Sequence, residues 1–288
     1  MARPDITSFF HDTTNTVTHI AIDPATSHAA IIDPVLDYCA ASGRTSTETA
    51  KKVANFVAEN ALTVDWILET HIHADHLSAA PWLKSQLGGK IAIGENVKEV
   101  QRVFGKLFGA EAAFRADGSQ FDHLFTDGES FKIGEMDATA IWTPGHTPAC
   151  MSFLIGDAVF VGDTLFMPDF GTARCDFPGG DARRLYQSIQ KLFALPDETR
   201  MFLCHDYETA TRKAFAWETT VGEQKTKNIH VGGGKSEDEF VAMRTARDKT
   251  LAMPHLILPS VQINMRAGEK PPADDEGRRY IKIPLDAL

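Results

Sequence analysis

The sequence has little of what builds disulfide-stapled or membrane-spanning proteins. Its four cysteines are scattered along 288 residues: Cys39, Cys150, Cys175 and Cys204. No two of them form a C-x-x-C pair, so we expect reduced thiols rather than a disulfide framework. No apolar run approaches the roughly 18 residues that a membrane span needs. Residues 1–6 contain no apolar segment, which predicts no secretory signal and a cytoplasmic location.

The sequence also lacks an excess of positive charge. Its 29 lysines and arginines stand against 39 acidic residues, a formal net charge of −10. This balance argues against nucleic acid or an anionic membrane as the main partner. An anionic small substrate would need a local basic pocket. The hydrophobic share of 43% is ordinary for a globular protein with a sizeable core.

Short apolar runs and helical patterns alternate along most of the chain. Residues 17–22 and 29–33 predict a hairpin, and so do residues 151–155 and 158–161 around Gly156-Asp157. The further predicted strands are residues 64–68, 90–93, 136–142 and 201–204. Helices are predicted after the capping-box pairs Thr45/Glu48 and Ser236/Glu239, over residues 97–108, and after Asp181, and one is expected to start at Asp75–His76. The mixture favours an α/β or α+β fold in which helices cover sheets.

The composition changes after about Val221. Three consecutive glycines at 232–234 break the chain, and residues 271–277 form a turn-rich loop. The sequence therefore predicts a main domain over residues 1–221, with residues 222–288 as a C-terminal extension packed on it.

Chemistry-bearing residues follow several predicted strands. The segment His71-Ile-His73-Ala-Asp75-His76 follows the predicted strand 64–68. His146 follows strand 136–142, Asp163 follows strand 158–161, and His205 follows strand 201–204. Strand ends along one edge of a sheet lie together, so these side chains can converge. Imidazole and carboxylate ligands suit Zn, Fe or Mn, and no cysteine is expected in the set. The histidines outside this pattern are interpreted as ordinary core or surface residues: His11, His19, His28, His123, His230 and His255.

These motifs resemble the metallo-β-lactamase superfamily. They are residues 70–76, Gly145-His146-Thr-Pro, Gly162-Asp163-Thr-Leu-Phe and Cys204-His205-Asp-Tyr207. The resemblance implies an αββα sandwich and is greatest to the branch that contains glyoxalase II and the persulfide dioxygenases. Residues 174–177 (Arg-Cys-Asp-Phe) and the short, loop-rich tail, including residues 253–256 and 261–268, resemble the persulfide dioxygenases.

The resemblance implies one Fe(II) per chain, held by His71, His146 and Asp163 as metal ligands and catalytic residues. The remaining four motif residues would support these ligands or hold a second metal: His73, Asp75, His76 and His205. The implied reaction oxidises glutathione persulfide with O2 to sulfite and glutathione, and a homodimer would fit the family.

Glutathione contacts are expected from Arg174 and Tyr207, which lie in loops corresponding to those that contact glutathione in glyoxalase II. The alternative for Arg174 is an ion pair with Asp176 that only shapes the loop. Cys175, in the same loop, is interpreted as a small residue without a redox role.

Three other functions stay open at this point. The first is a glyoxalase II-like hydrolase of glutathione thioesters with two zinc ions or mixed metals. The second is a non-catalytic metal-binding scaffold or sensor, against which the complete ligand set argues. The third, a β-lactamase, is disfavoured because no export signal is expected.

Overall fold

In the computed structural model, which describes residues 3–287, two sheets face each other and helices cover their outer faces. Met1 and Ala2, on which the expectation of no secretory signal partly rests, and Leu288 lie outside the described residues. No helix within the described part of the chain is long and apolar enough to cross a bilayer.

The N-terminal half forms one sheet and a small side sheet. Its elements are β1 (Asp5–His11), β2 (Thr16–Ile22), β3 (His28–Ile32), β4 (Val35–Cys39), β5 (Arg44–Ser46), α1 (Glu48–Glu59), β6 (Thr63–Leu68), β7 (Leu77–Ser78), α2 (Ala80–Leu87), β8 (Lys90–Gly94), α3 (Val97–Leu107) and β9 (His123–Phe125). The sheet has the order β1-β2-β3-β6-β8-β9, and β5-β4-β7 form the side sheet. Because β3, β6, β8 and β9 run parallel, their carboxyl ends share one edge.

The C-terminal half forms the second sheet. Its elements are β10 (Ser130–Ile133), β11 (Met136–Trp142), β12 (Met151–Ile155), β13 (Ala158–Phe160), α4 (Ala182–Phe193), β14 (Arg200–Phe202), β15 (Glu218–Thr220), α5 (Val221–Lys227), α6 (Glu237–Asp248) and α7 (Ile257–Asn264). The strands are ordered β10-β11-β12-β13-β14-β15, and only the β13–β14 pair of this sheet's described strands is parallel.

Alternating side chains divide the core into three layers. In β3, Ala29 and Ile31 pack with α1 and α2, whereas Ala30 and Ile32 face the second sheet. In β13, Val159 packs on the outer side with α4, while its neighbours face inward. Because successive side chains of a strand point to opposite faces, each sheet is covered on both sides. The predicted αββα sandwich is confirmed.

Local signals located most elements correctly. Both predicted hairpins form antiparallel pairs. Asp181 caps α4 by accepting the backbone N–H groups of Arg183 and Arg184, and Ser236 forms its capping box with Glu239. These bonds satisfy donors that a helix start leaves free.

Two local predictions were wrong. Thr45 lies in β5, and α1 begins after Thr47 without a side-chain cap, so the Thr45/Glu48 capping box does not form. A helix was also expected to start at Asp75–His76, but β7 intervenes and α2 begins only at Ala80. Here pairing with β4 prevails over the local helical signal.

The C-terminal helices α6 and α7 pack into the hydrophobic clusters that the preceding part of the chain forms. Ile257 and Val261 of α7 are buried in the same cluster as Val53 of α1 and Leu83 of α2. Phe240 of α6 lies with the apolar face of α4. These contacts bring α7 behind the loop that joins β6 to β7.

His19 generates a prediction about stability and pH. Its ring accepts from Ser8 Oγ at Nδ1 and donates from Nε2 to the Leu203 carbonyl at 2.9 Å. Burial lowers the pKa of His19 from 6.5 to about 4. The unfolded chain therefore binds a proton that the folded chain excludes, so stability present above pH 6.5 is lost as the pH falls towards 4, by up to about 3 kcal/mol.

We expect His19→Gln, which keeps a donor for Leu203, to flatten this dependence. Urea unfolding at several pH values between 7 and 4 would measure it. Parallel pH profiles for the two proteins would show that His19 does not contribute.

Candidate metal centre

The strand ends place the motif residues at one edge of the sandwich. His71 lies in the loop after β6, which we call the metal loop (residues 71–76), and His146 follows β11. Asp163 lies in a short 3₁₀ turn after β13, and His205 follows β14. Gly162 has a φ of +51°, and a Cβ there would lie 2.5 Å from Thr70 Oγ1. Glycine thus lets the Asp163 turn approach the metal loop closely.

The ligand atoms form two adjoining groups. The first contains His71, His146 and Asp163, and its atoms lie within 4.8 Å of one another. The second, with the same spacing, is formed by His73, Asp75, His76 and His205. The family resemblance implied the same division into iron ligands and neighbouring residues. Which residues bind metal stays a prediction.

Asp163 lies between the two groups. Its Oδ2 is 3.7 Å from His146 Nε2 and 3.9 Å from His71 Nε2, while its Oδ1 is 3.4 Å from His205 Nε2. Asp75 Oδ2 also lies 3.4 Å from His205 Nε2. One carboxylate therefore reaches both groups, so the geometry accommodates either one metal or two.

Each histidine is oriented by a contact at one ring nitrogen. His146 Nδ1 donates to the Arg174 carbonyl at 2.8 Å, and His205 Nδ1 donates to the Asn15 carbonyl at 3.1 Å. The Thr70 hydroxyl, which donates to Asp33, accepts from His71 Nδ1 at 3.0 Å. Such bonds fix the tautomer and direct the other nitrogen into the site, as in known metal centres.

The nitrogens directed into the site have no hydrogen-bond partner. Within the described residues, the unpartnered buried atoms include His71 Nε2, His73 Nδ1, His76 Nε2, His205 Nε2 and Asp163 Oδ1. A buried polar atom without a partner is costly, and each of the two groups contains such atoms. A divalent cation within a group would satisfy its unpartnered atoms, so the residues present fit a metal.

The protonation states also suit a metal. Burial, reinforced by His73 and His146, holds the pKa of His71 well below its ordinary value. Burial, again with His73, lowers the pKa of His76 to about 4. Both imidazoles are therefore neutral at pH 7, and a proton does not compete with a metal for their lone pairs.

Beneath the metal loop lies a buried acid pair that the sequence interpretation missed. Asp33 accepts the Thr70 N–H at 2.7 Å and His73 Nε2–H at 2.9 Å, and Glu69 Oε2 is 3.5 Å from the same nitrogen. Burial opposes the charge, but Asp33 and Glu69 raise the pKa of His73 well above its ordinary value. Asp33 directly follows β3, so the strand-end signal that identified Asp163 would have found it.

One cysteine lies beside the ligand set, which the sequence did not indicate. Cys204 Sγ lies within 4.8 Å of ligand atoms of Asp163 and His205. That no cysteine belongs to the ligand set stays a prediction. Burial raises the pKa of Cys204 well above its ordinary value, so it stays a thiol and a poor ligand. Cys175 is buried as well, and burial followed by Asp248 raises its pKa, which agrees with a residue that has no redox role.

A cleft of about 670 Å³ opens onto the first ligand group. His146 and Asp163 form part of its floor, together with Asp75. Its aromatic wall consists of Phe166, Phe170, Phe177 and Tyr207. Its entrance is basic: Arg247 and His255 are exposed and Arg174 is half-buried, and the buried Arg244 also lines the cleft. The centre therefore faces a largely apolar pocket with cations at the entrance, although the chain as a whole is acidic.

The two predicted substrate contacts, Arg174 and Tyr207, both line this cleft. Arg174 binds Asp176 through Nε at 2.6 Å and Nη2 at 2.7 Å, which is the pairing foreseen as the alternative. A contact with a ligand must therefore use its remaining N–H groups. Burial raises the pKa of Tyr207, so its phenol is a donor at neutral pH.

Arg247 and His255 were not singled out from the sequence. Arg244 is buried and bound to Asp248, whereas Arg247 is exposed and forms no ion pair with any residue of the range 3–287. Only the fold brings this part of α6 to the cleft, so no local sequence signal marks Arg247.

Comparison with known proteins agrees with this geometry. The family model of the metallo-beta-lactamase superfamily matches residues 22–205. The chain is 53% identical to a probable metallo-hydrolase of Burkholderia pseudomallei, over 98% of this chain and 99% of the relative. It is 52% identical to glyoxylase B2 of Dictyostelium discoideum, over 93% of this chain and 92% of the relative.

Other similar proteins are named for a different activity. The chain is 32% identical to the human mitochondrial persulfide dioxygenase ETHE1, over 91% of this chain and 88% of the relative. Among solved structures, ETHE1 from Myxococcus xanthus superposes with a TM-score of 0.72 at 31% identity. The match covers 92% of this chain and 100% of that one.

The unpartnered atoms predict that metal stabilises the fold. Adding a divalent metal to chelator-treated protein should raise the unfolding free energy by about 3 kcal/mol at a hundredfold excess over the dissociation constant. Thermal melts with and without metal would measure the effect. In His71→Ala the gain should shrink sharply, whereas His28→Ala, whose imidazole bonds Asp65, should keep it. An equal gain in both variants would place the metal elsewhere.

Proposed function

Because the chain belongs to the metallo-β-lactamase superfamily, we propose that it is a persulfide dioxygenase. In this proposal it oxidises glutathione persulfide with O2 and one water molecule to sulfite and glutathione: O2 supplies two of the three sulfite oxygens, water supplies the third, and the sulfur–sulfur bond breaks. One Fe(II) per chain is held by His71, His146 and Asp163. The observation that carries the proposal is the group of two histidines and one carboxylate that opens onto the cleft.

The donor set supports iron chemistry. Two histidines and a carboxylate on one face, with open positions opposite, are typical of non-haem Fe(II) oxygenases. A bound Fe(II) would supply the redox chemistry that lets O2 oxidise a persulfide sulfur. His146 and Asp163 both line the cleft, so a substrate sulfur that enters it reaches the ligand group directly.

The protein's part is to orient the ligands and to shape the cleft. The Arg174 carbonyl fixes the His146 ring, and the lowered pKa of His71 keeps its nitrogen free of a proton. Phe170 stacks on Tyr207 with ring centroids 4.7 Å apart, and Phe177 packs on His146. These aromatic rings form an apolar surface against which a substrate sulfur can pack beside the ligand group.

The basic entrance supports an anionic thiol as substrate. Glutathione carries two carboxylates, and charged hydrogen bonds to arginine recognise such groups well. In the proposal Tyr207 and Arg174 contact the tripeptide, and Arg247 adds a cation that no acid of the described chain neutralises.

The four remaining motif residues support the iron ligands in this proposal. His73 is held by Asp33 beneath the metal loop, and Asp75 lies beside His76 and His205. A centre with a single iron would leave this second group to hydrogen-bond water and to orient Asp163.

A second function is favoured by a specific observation. Asp163 lies between both groups, as a carboxylate that bridges two metals would. Two relatives bear the names glyoxylase B2 and probable metallo-hydrolase. The alternative is therefore a hydrolase of glutathione thioesters that uses two zinc ions or mixed metals.

Metal content and oxygen uptake separate these functions. Protein purified without oxygen should contain about one iron per chain and consume O2 only when glutathione persulfide is added. His71→Ala should lose both the iron and the activity. His76→Ala should keep close to one iron per chain, because its ring belongs to the other group.

Two metals in the parent protein, falling to one in His76→Ala, together with cleavage of a glutathione thioester, would establish the hydrolase instead. Zinc-loaded protein is the matched control, since zinc has no redox chemistry and should support no oxygen uptake.

Substrate recognition gives a separate kinetic prediction. Arg247→Ala should raise the KM for glutathione persulfide roughly tenfold with little change in kcat, as expected from the loss of one charged hydrogen bond of about 1.4 kcal/mol. Arg174→Ala should also raise KM. The control is Lys249→Ala, an exposed cation near Arg247 that does not line the cleft. Equal KM values for the Arg247 variant and this control would remove Arg247 from the substrate site.

A further inference from the structure

We propose that Asn264, at the end of α7, is a positioning residue that holds the metal loop in its ligand geometry and so determines how tightly the centre binds metal. The inference rests on the proposed function only in requiring that the metal loop binds a metal. Asn264 lies 188 residues from His76 along the chain, and nothing in its local sequence marks such a role.

The contacts use the whole amide of Asn264. Its Nδ2 donates to the His73 carbonyl at 2.9 Å and to the His76 carbonyl at 2.8 Å. Its Oδ1 accepts the Ser78 N–H at 2.8 Å. Both N–H groups and the carbonyl are engaged, which fixes the orientation of the amide. The side chain is 3% exposed, so these bonds are shielded from water.

The metal loop needs external partners of this kind. Between the end of β6 and β7 the chain is neither helix nor strand, so no regular ladder organises its backbone. Buried backbone groups in such a segment must find partners elsewhere. Asn264 holds the peptide groups that follow His73 and His76, and so fixes the backbone from which both imidazoles project.

The helix that carries Asn264 is itself firmly held. Val261 and Met265 are buried in the same cluster as Ile72 and Leu77 of the loop region. From α3, Gln101 donates to the Met265 carbonyl at 2.9 Å. The end of α7 therefore cannot shift relative to the metal loop without disrupting the core.

Loss of these hydrogen bonds should lower the affinity of the centre for metal. Groups that orient metal ligands typically alter metal affinity by about 10- to 100-fold when they are replaced. Without the Nδ2 donors, the two carbonyls would be buried without partners and the loop would relax to satisfy them. The imidazoles of His73 and His76 would turn with their peptide groups. His71 keeps its contact with Thr70, but it lies only two residues before His73 in the same loop, so the shift would be transmitted to its backbone.

The same helix offers a matched control. Gln262 is also 3% exposed, and its Nε2 donates to the Leu258 and Lys282 carbonyls, both at 2.8 Å. Its Oε1 accepts the Lys282 N–H at 3.0 Å. Gln262 thus makes the same kinds of bonds, one within α7 to Leu258 and two with Lys282, and none with the metal loop.

The experiment compares Asn264→Asp with Gln262→Glu. Each change replaces an amide by an acid of equal size and removes two donors. Metal-free protein is titrated anaerobically with Fe(II), and separately with Zn(II) against a chelator, and the melting temperature of each metal-free variant is recorded. We expect Asn264→Asp to bind both metals at least tenfold more weakly, and Gln262→Glu to stay within twofold of the parent.

Two results would overturn the proposal. One is an affinity of Asn264→Asp within twofold of the parent, and the other is an equal loss of affinity in both variants. If Asn264→Asp does not fold, Asn264→Ser, which keeps one hydroxyl donor, takes its place under the same criteria. The absorption spectrum of Co(II)-loaded protein gives a second readout, which should change in the Asn264 variant and not in the Gln262 variant.

Failure of this proposal can be told apart from failure of the proposed function. Metal affinity is measured without substrate or oxygen. Two metals per chain or no oxygen uptake would overturn the dioxygenase and leave the Asn264 result standing.

Discussion

One buried carboxylate, Asp33, fixes the frame of the centre. It accepts the N–H and hydroxyl of Thr70 and the Nε2–H of His73, so it fixes the metal loop at its start and at its middle. Its own backbone N–H bonds the Leu68 carbonyl, which connects the ends of β3 and β6. A buried carboxylate is stable only when its hydrogen-bond donors are in place. Because these donors belong to Thr70 and His73, their bonds to Asp33 hold the metal loop in one geometry.

That geometry explains why the site is built for metal. Several imidazoles are oriented from behind by carbonyls, a hydroxyl or Asp33, and their second nitrogens have no partner. These nitrogens lie in two adjoining groups of potential ligands, where metal ions can satisfy them. The cleft is lined by Asp75, His146 and Asp163, so a substrate can reach the centre from there. Stability and function therefore depend on the same polar atoms.

Only a few residues distinguish the two candidate reactions, whereas the fold depends on the packing of the whole chain. Both candidate functions use the same sandwich, the same metal loop and the same entrance. They differ in whether the group around His76 and His205 binds a second metal across Asp163 or only orients the first. The C-terminal helices would serve either function in the same way, because α6 lines the entrance of the cleft and α7 bonds the metal loop from behind.

The sequence alone determined the fold class and which residue types surround the centre. Strand alternation and the position of His71, His146, Asp163 and His205 after strands are local features, and they can be read without coordinates. The tertiary structure decided which ring nitrogens have no partner, that Arg174 is already paired with Asp176, that Asp33 and Asn264 bond the metal loop, and that Arg247 lines the cleft. The reason is physical: these are contacts between segments far apart in the chain, and packing, not local preference, selects them.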